Sequence, residues 1–253
     1  MAAAATRGTM RELLAIAAFM PRVIAATAAG PPLIATLLLT QRLMSRSAPV
    51  VFAVVFFAGA MLTVQAAASM APMGGADMAG LVVGFGGIRE VFPLLAATAI
   101  AARSGAEFAS ELGTMKTTMQ IDALEVMGVD PLRTLAGPRI VAAVVGSPLC
   151  LLVACGAGML GAQMVGTYQL GIDPGSMWAH LWSGVALYDL YIVAAKGAVL
   201  GFLLAAIAVR EGLNAAGGAA GVGRATNKAV VRAMMGVCLM NLLLTTVLYG
   251  GQQ

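Results

Sequence analysis

The sequence predicts an all-α integral membrane protein: an N-terminal interfacial helix followed by five transmembrane helices. Three observations carry this reading. Of the 253 residues, 60% are hydrophobic and only 10% are charged, whereas a soluble domain carries about 25% charged residues, so much of this surface must face lipid. The apolar residues gather into five runs of the length a helix needs to cross hydrocarbon, about 20 residues. Lys and Arg occupy every second connecting segment and are missing from the others, as expected for spans threaded back and forth through a bilayer. Abundant Ala, Gly and Met with few aromatic residues suit helices that pack closely through small side chains.

Residues 9–42 read as an interfacial helical segment. Arg11, Glu12 and Arg22 alternate there with Leu13, Leu14, Ile16, Phe19, Val23 and Ile24, which favours a helix lying in the plane of the interface. Gly30-Pro31-Pro32 breaks it, and the apolar piece Leu33 to Leu39 follows before Arg42 and Arg46. A sixth span over 23–39 has the minimum length, but it would carry the Pro pair at its centre, where Pro breaks helices. The spans are 50–71, 78–102, 140–165, 189–209 and 229–249, in a single domain covering 1–253. The second contains Arg89-Glu90, the third is rich in glycine (Gly146, Gly156, Gly158, Gly161), and the fourth contains Lys196. Between the third and fourth, 166–187 is amphiphilic. Asp173-Pro174 there resembles an N-cap with Pro at the first helical position, predicting a short helix whose Trp178 and Trp182 suit an interfacial belt. Residues 210–228 read as a Gly-rich polar loop.

Charge sets the orientation. Arg7, Arg11, Arg22, Arg42 and Arg46 lie before the first span; Arg103, Lys116, Arg133 and Arg139 follow the second; Arg210, Arg224, Lys228 and Arg232 follow the fourth. Segments 72–78 and 166–189 and the C-terminal tail have no Lys or Arg. The positive-inside rule then predicts the N-terminus in the cytoplasm and the C-terminus outside.

Residues 111–131, ELGTMKTTMQIDALEVMGVDP, form the longest polar interlude. Glu111, Lys116, Asp122, Glu125 and Asp130 are interleaved with Met115, Met119, Ile121, Leu124, Val126 and Met127 at roughly helical spacing, which predicts a short amphipathic helix. Gly128 and Asp130-Pro131 stop it. Such a helix cannot lie in hydrocarbon. It belongs at a membrane face, its polar side turned to solvent or to a partner protein.

No catalytic constellation stands out. His180 is the only histidine, and Cys150, Cys155 and Cys238 lie in apolar runs, with no metal-ligand or disulfide spacing. No G-x-x-x-x-G-K-[ST] is present, so the chain cannot cradle a nucleotide by that device. The basic residues are scattered around spans rather than clustered with aromatics, which argues against nucleic acid. Ionisable residues at membrane depth are costly and usually face a bundle interior or a wet cavity. As neighbours on a helix, Arg89 and Glu90 point in different directions. Either each is neutralised from another helix, for example by Lys196 or Gln65, or they line a substrate cavity, where Arg can fork onto a phosphate or carboxylate.

Glu111-Leu-Gly-Thr-Met-Lys, Gln120-Ile-Asp-Ala-Leu-Glu-Val-Met-Gly-Val-Asp-Pro and Pro138-Arg139 resemble the signature of the MlaE/YrbE permease family, the membrane subunits of Mla- and Mce-type ABC lipid transporters. The likeness extends from Arg46 onwards. It implies a permease that moves lipid between the bacterial cytoplasmic membrane and an MCE-domain protein in the cell envelope. It also implies a second permease copy or paralogue as dimer partner, an ABC ATPase that holds the ATP and Mg2+, and an assembly that can include a STAS-domain accessory protein. No cofactor is then expected in this chain. By the same resemblance 111–131 is the coupling helix, with Glu111, Lys116, Gln120, Asp122, Glu125 and Asp130 facing the ATPase; Met119 stands where the family is usually acidic. Gly87-Ile88-Arg89-Glu90-Val91-Phe92-Pro93 resembles the family's G-x-R-E-x-G-P element at the lipid pocket, which implies a cavity role for Arg89 and Glu90; Gln65 and Lys196 are further candidates for the same cavity. Phe92 replaces the usual Gly and is expected to narrow or reshape that region. Arg103, Lys196 and Arg224 match basic positions of the family pattern, and Arg103, Arg139 and Arg224 are expected as cytoplasmic basic positions. Two other classes remain: an ion-coupled secondary transporter of a hydrophobic anion, which would usually show internal repeats, and a scaffold without transport.

Overall fold

The computed structural model describes Phe19–Pro21, Ile24, Ala25, Thr27 and residues 30–250. Residues 9–18 of the expected interfacial helix, and several up to 29, lie outside the described residues. Among the described residues the fold is helical throughout, without strands, and five helices are long and apolar enough to cross a membrane. They are α1 (Leu33–Met70), α2 (Ala76–Thr117), α4 (Leu132–Tyr168), α6 (Leu187–Leu213) and α7 (Gly218–Tyr249). Two short helices, α3 (Gln120–Val126) and α5 (Pro174–Ser183), lie at opposite ends of the bundle.

The helices outrun the apolar runs that announce them. α1 has 38 residues, about 57 Å at 1.5 Å per residue, against a hydrocarbon core of about 30 Å. Gly30 (φ +77°) and the extended Pro32 start this helix rather than interrupt it, so 33–42 is continuous with the first span. The extension is polar and is matched from α2. Arg42 pairs with Glu107 at 2.6 Å and Glu111 at 2.7 Å, and Arg46 pairs with Glu107 at 2.7 Å. The polar segment 210–228 is also largely helical: only Asn214–Gly217 separates α6 from α7. Gly217 and Gly218, both at positive φ, make the turn that most other residues would resist. Gly113 of α2 sits against Ala215 and Val222, so the Gly-rich stretch has a helix to pack on.

The segment 111–131 is not one helix. α2 carries on to Thr117, Met119 takes a left-handed conformation (φ +60°), and α3 starts at Gln120. Asp173 caps α5 as its sequence implies, its Oδ2 accepting from Ser176 N–H at 2.8 Å.

Small residues set the packing. A Cβ at Gly59 of α1 would overlap the backbone of Gly158 in α4, and one at Gly161 would overlap the Phe56 carbonyl, so the two helices cross with backbones nearly touching. The core between α2, α4 and α6 is filled by Phe92, Ile100, Leu112, Ile140, Leu151, Leu200 and Leu204. α6 is the central span, 72% of its apolar window being buried; α7 is peripheral at 17%. It turns Leu239, Leu242, Leu243 and Val247 outward.

Candidate functional site

At the α5 end of the bundle, α2, α6 and α7 enclose a network of four ionised side chains. Arg89 lies in a π-helical stretch, Val83–Val91, a widened turn often found at functional positions. Its guanidinium pairs with Asp189 of α6, Nη2 donating to Oδ2 at 3.1 Å and Nε lying 2.9 Å from Oδ1. Asp189 stands in the first turn of α6 and also accepts from the Ala186 N–H at 2.9 Å. Tyr249, the last residue of α7, donates its hydroxyl to Asp189 Oδ1 at 3.2 Å. The Arg89 guanidinium lies over the Phe85 ring, 4.0 Å from its centroid, and 5.0 Å from that of Tyr249, a favourable cation–π placement.

Glu90 turns to other partners. Its Oε1 accepts from Lys196 Nζ at 3.1 Å and from the Thr245 hydroxyl at 2.6 Å, and its Oε2 accepts from Asn241 Nδ2 at 3.2 Å. Lys196 also donates to Thr245 Oγ1 at 2.8 Å and to the Arg89 carbonyl at 2.8 Å. The last contact has a local cause: Pro93, four residues on, has no N–H to give that carbonyl. All three donors of the ammonium are therefore used.

The structure joins Arg89, Glu90 and Lys196, but not as equals. Lys196 is completely buried and Asp189 nearly so, while Arg89 (20% exposed) and Glu90 (38%) reach the surface. Lys196 supports the site from behind. Gln65 is exposed on α1, and among the described residues no hydrogen bond ties its side chain to this network. Phe92 does not narrow the site, because its ring is fully buried in the gap left by Gly87 and Gly158. Sequence reasoning missed Asp189, Asn241, Thr245 and Tyr249. The available signal was a buried-helix pattern interrupted by polar residues: Asp189 in the first turn of an apolar helix, and Asn241 and Thr245 four apart on one face of α7.

At the α3 end the segment expected to couple divides into inward and outward parts. Glu111 belongs to α2 and is held by Arg42 and, at 3.1 Å, by Arg139. Lys116 and Asp122 pair at 2.6 Å across the α2–α3 turn. Gln120 donates to the Thr118 hydroxyl at 3.0 Å, and Asp130 accepts from the Leu132 N–H at 2.9 Å, helping to start α4. Glu125 is exposed. Ile121 anchors α3 inward, while Met119, Val126 (89% exposed) and Met127 point outward. A cleft of about 500 Å³ beside α3 is lined by Leu39, Arg42, Glu111, Thr114, Gln120 and Arg139. Arg139 is buried, donating to the Leu135 carbonyl at 2.7 Å, so it is an internal tie rather than a surface anchor. Arg103 and Arg224 are exposed. Glu211 bridges Arg210 and Arg232, 2.7 Å each. Among the described residues no three His, Cys, Asp or Glu side chains converge as a metal site would need.

Among the described residues, then, the chain is a helical bundle with a closed ionic network at one end and a short exposed helix at the other. The family model "Permease MlaE" matches residues 38–247, and the chain belongs to the MlaE permease family. It is 34% identical over 221 residues to a probable ABC transporter permease protein of Rickettsia typhi, covering 87% of this chain and 85% of that one. It is 30% identical over 195 residues to the intermembrane phospholipid transport system permease protein MlaE of Haemophilus influenzae, covering 77% and 75%. The chloroplastic protein trigalactosyldiacylglycerol 1 of Arabidopsis thaliana is 29% identical over 195 residues, 77% of this chain and 56% of that one. The chain is thus a multi-pass inner-membrane protein and a permease subunit of the ABC type.

Proposed function

We propose that this permease moves a phospholipid or a similar lipid between the inner membrane and an MCE-domain protein of the envelope, driven by a separate ATPase subunit that binds the ATP and Mg2+. The observation that carries the reading is the network at the α5 end. Arg89 and Glu90 present one cation and one carboxylate to the surface, each braced by a buried counter-charge. A polar headgroup can bind there while its chains lie along the apolar outer side of α7. The relatives named for phospholipid transport and for ABC permeases support the substrate class and the ATPase. In this reading α3 lies in the cytoplasm and α5 outside, which the distribution of Lys and Arg supports, with a second permease completing the cavity against α7 and a STAS-domain protein as a further partner.

In this reading ATP-driven motion enters through α3. Met119, Val126 and Met127 offer an apolar surface and Glu125 a charge, while Ile121 and the Lys116–Asp122 pair tie the helix to the end of α2. Because α2 is continuous from Ala76 to Thr117, a push at α3 is delivered along the helix that carries Arg89 and Glu90. The test is the lipid retained by the purified chain. Arg89→Ala or Glu90→Ala is expected to lower it at least several-fold; lipid content equal to wild type in both would overturn the cavity assignment.

A further inference from the structure

The charge balance of the α5-end network bears on which headgroup it admits. Two cations, Arg89 and Lys196, face two carboxylates, Asp189 and Glu90, as two closed pairs. The site is electroneutral before any lipid arrives. A headgroup with net negative charge would leave water for a site whose network, among the described residues, has no spare cation, and its desolvation would go uncompensated.

Burial decides which poles face outward. Lys196 and Asp189 are sealed in; Arg89 and Glu90 are the two ionised groups that reach the surface, on consecutive residues that point apart. The open face is therefore bipolar. Its negative pole has acceptor capacity to spare: Glu90 Oε2 accepts one hydrogen bond, from Asn241. A primary ammonium brings three donors and a positive charge. Its positive pole is a guanidinium, the natural fork for a phosphate, set over the faces of Phe85 and Tyr249.

We infer that the site selects a zwitterionic phospholipid headgroup bearing a primary ammonium, the phosphate on Arg89 and the ammonium on Glu90 beside Asn241. This rests on the lipid-permease reading above and adds the headgroup class.

The test uses the purified full-length chain exchanged into mixed micelles holding equal amounts of phosphatidylethanolamine and phosphatidylglycerol of matched acyl chains, with mass spectrometry of the lipid retained after gel filtration. Wild type is expected to enrich phosphatidylethanolamine about fivefold or more, the range of one charge-assisted contact. Glu90→Gln alone strands the buried Lys196, so it is paired with Lys196→Met to keep the site neutral; the E90Q/K196M chain is expected to retain less lipid, as Glu90→Ala does, and the lipid it does retain is expected to show no enrichment. As a check that needs no variant, acylating the amine of phosphatidylethanolamine, which leaves a net-anionic headgroup, should abolish the preference in wild type. Equal retention of the two lipids by wild type, preference for phosphatidylglycerol, or enrichment unchanged in E90Q/K196M would each overturn the headgroup inference and leave the lipid-permease reading standing. Absence of any lipid retained by wild type would overturn both.

Discussion

The two ends of the bundle hold ionic networks of similar membership and opposite character. At the α5 end, two cations and two carboxylates form closed pairs, with Lys196 and Asp189 buried. At the α3 end, Arg42, Arg46 and Arg139 share Glu107 and Glu111, with Arg42 and Arg46 more than 40% exposed. The first sits where partners must be supplied by protein; the second can exchange a partner for water. The contrast separates a network anchored on two buried charges from one that fastens helices at an exposed surface, and mutations should divide along the same line.

The largest effect is expected from leaving one buried charge without its partner. Glu90→Gln or Asp189→Asn should destabilise the protein by about 3–5 kcal/mol, because Lys196 or Arg89 then stays in the bundle uncompensated. Thermal unfolding in detergent measures this, and E90Q/K196M should recover much of the loss. A double variant no more stable than E90Q would break the account of closed pairs. Next comes packing between the two ends. Gly59→Val forces α1 away from α4 at Gly158 and should lower stability by about 1–3 kcal/mol; a melting temperature equal to wild type would contradict the close crossing. At the α3 end, Arg46→Ala should change stability by about 0–1 kcal/mol, and the change should shrink further in high salt. The smallest effect on stability, with the largest on assembly, is expected for α3 itself. Glu125→Lys or Val126→Asp should leave the melt unchanged and abolish co-purification of the ATPase subunit. Retained association in both variants would remove α3 from the docking surface. Asp122→Lys is a less clean probe, since it also opens the Lys116 pair.

Much of the fold was legible in the chain. Five apolar runs give five spans because hydrocarbon leaves an isolated segment no other way to satisfy its backbone, and Asp173-Pro174 gives the start of α5 because its side chain reaches the Ser176 N–H. The ends of the helices were not legible. Arg42 and Arg46 read as a boundary on hydropathy alone, yet Glu107 and Glu111, some sixty residues on, let the helix continue through them. Likewise Gly113 gives the Gly-rich 218–228 stretch a surface to pack on. The turn at Met119, a non-glycine residue at φ +60°, carries no local signal and divided the expected coupling helix in two.

The candidate site shows the same division. Arg89 and Glu90 are conspicuous because charge at membrane depth is conspicuous. Their partners are hidden by sequence distance: Asp189 lies 100 residues from Arg89 and Thr245 lies 155 from Glu90. Local chemistry, carried by residue order, determined the class of protein and the number of spans, and it singled out Arg89 and Glu90, two members of the network at the α5 end. Only the tertiary structure decided that Lys196 is sealed behind Glu90, that Phe92 fills a gap between glycines, and that a carboxylate and a guanidinium share the open face. Those depend on which helices are neighbours, and close packing of small residues sets that through contacts no single segment contains.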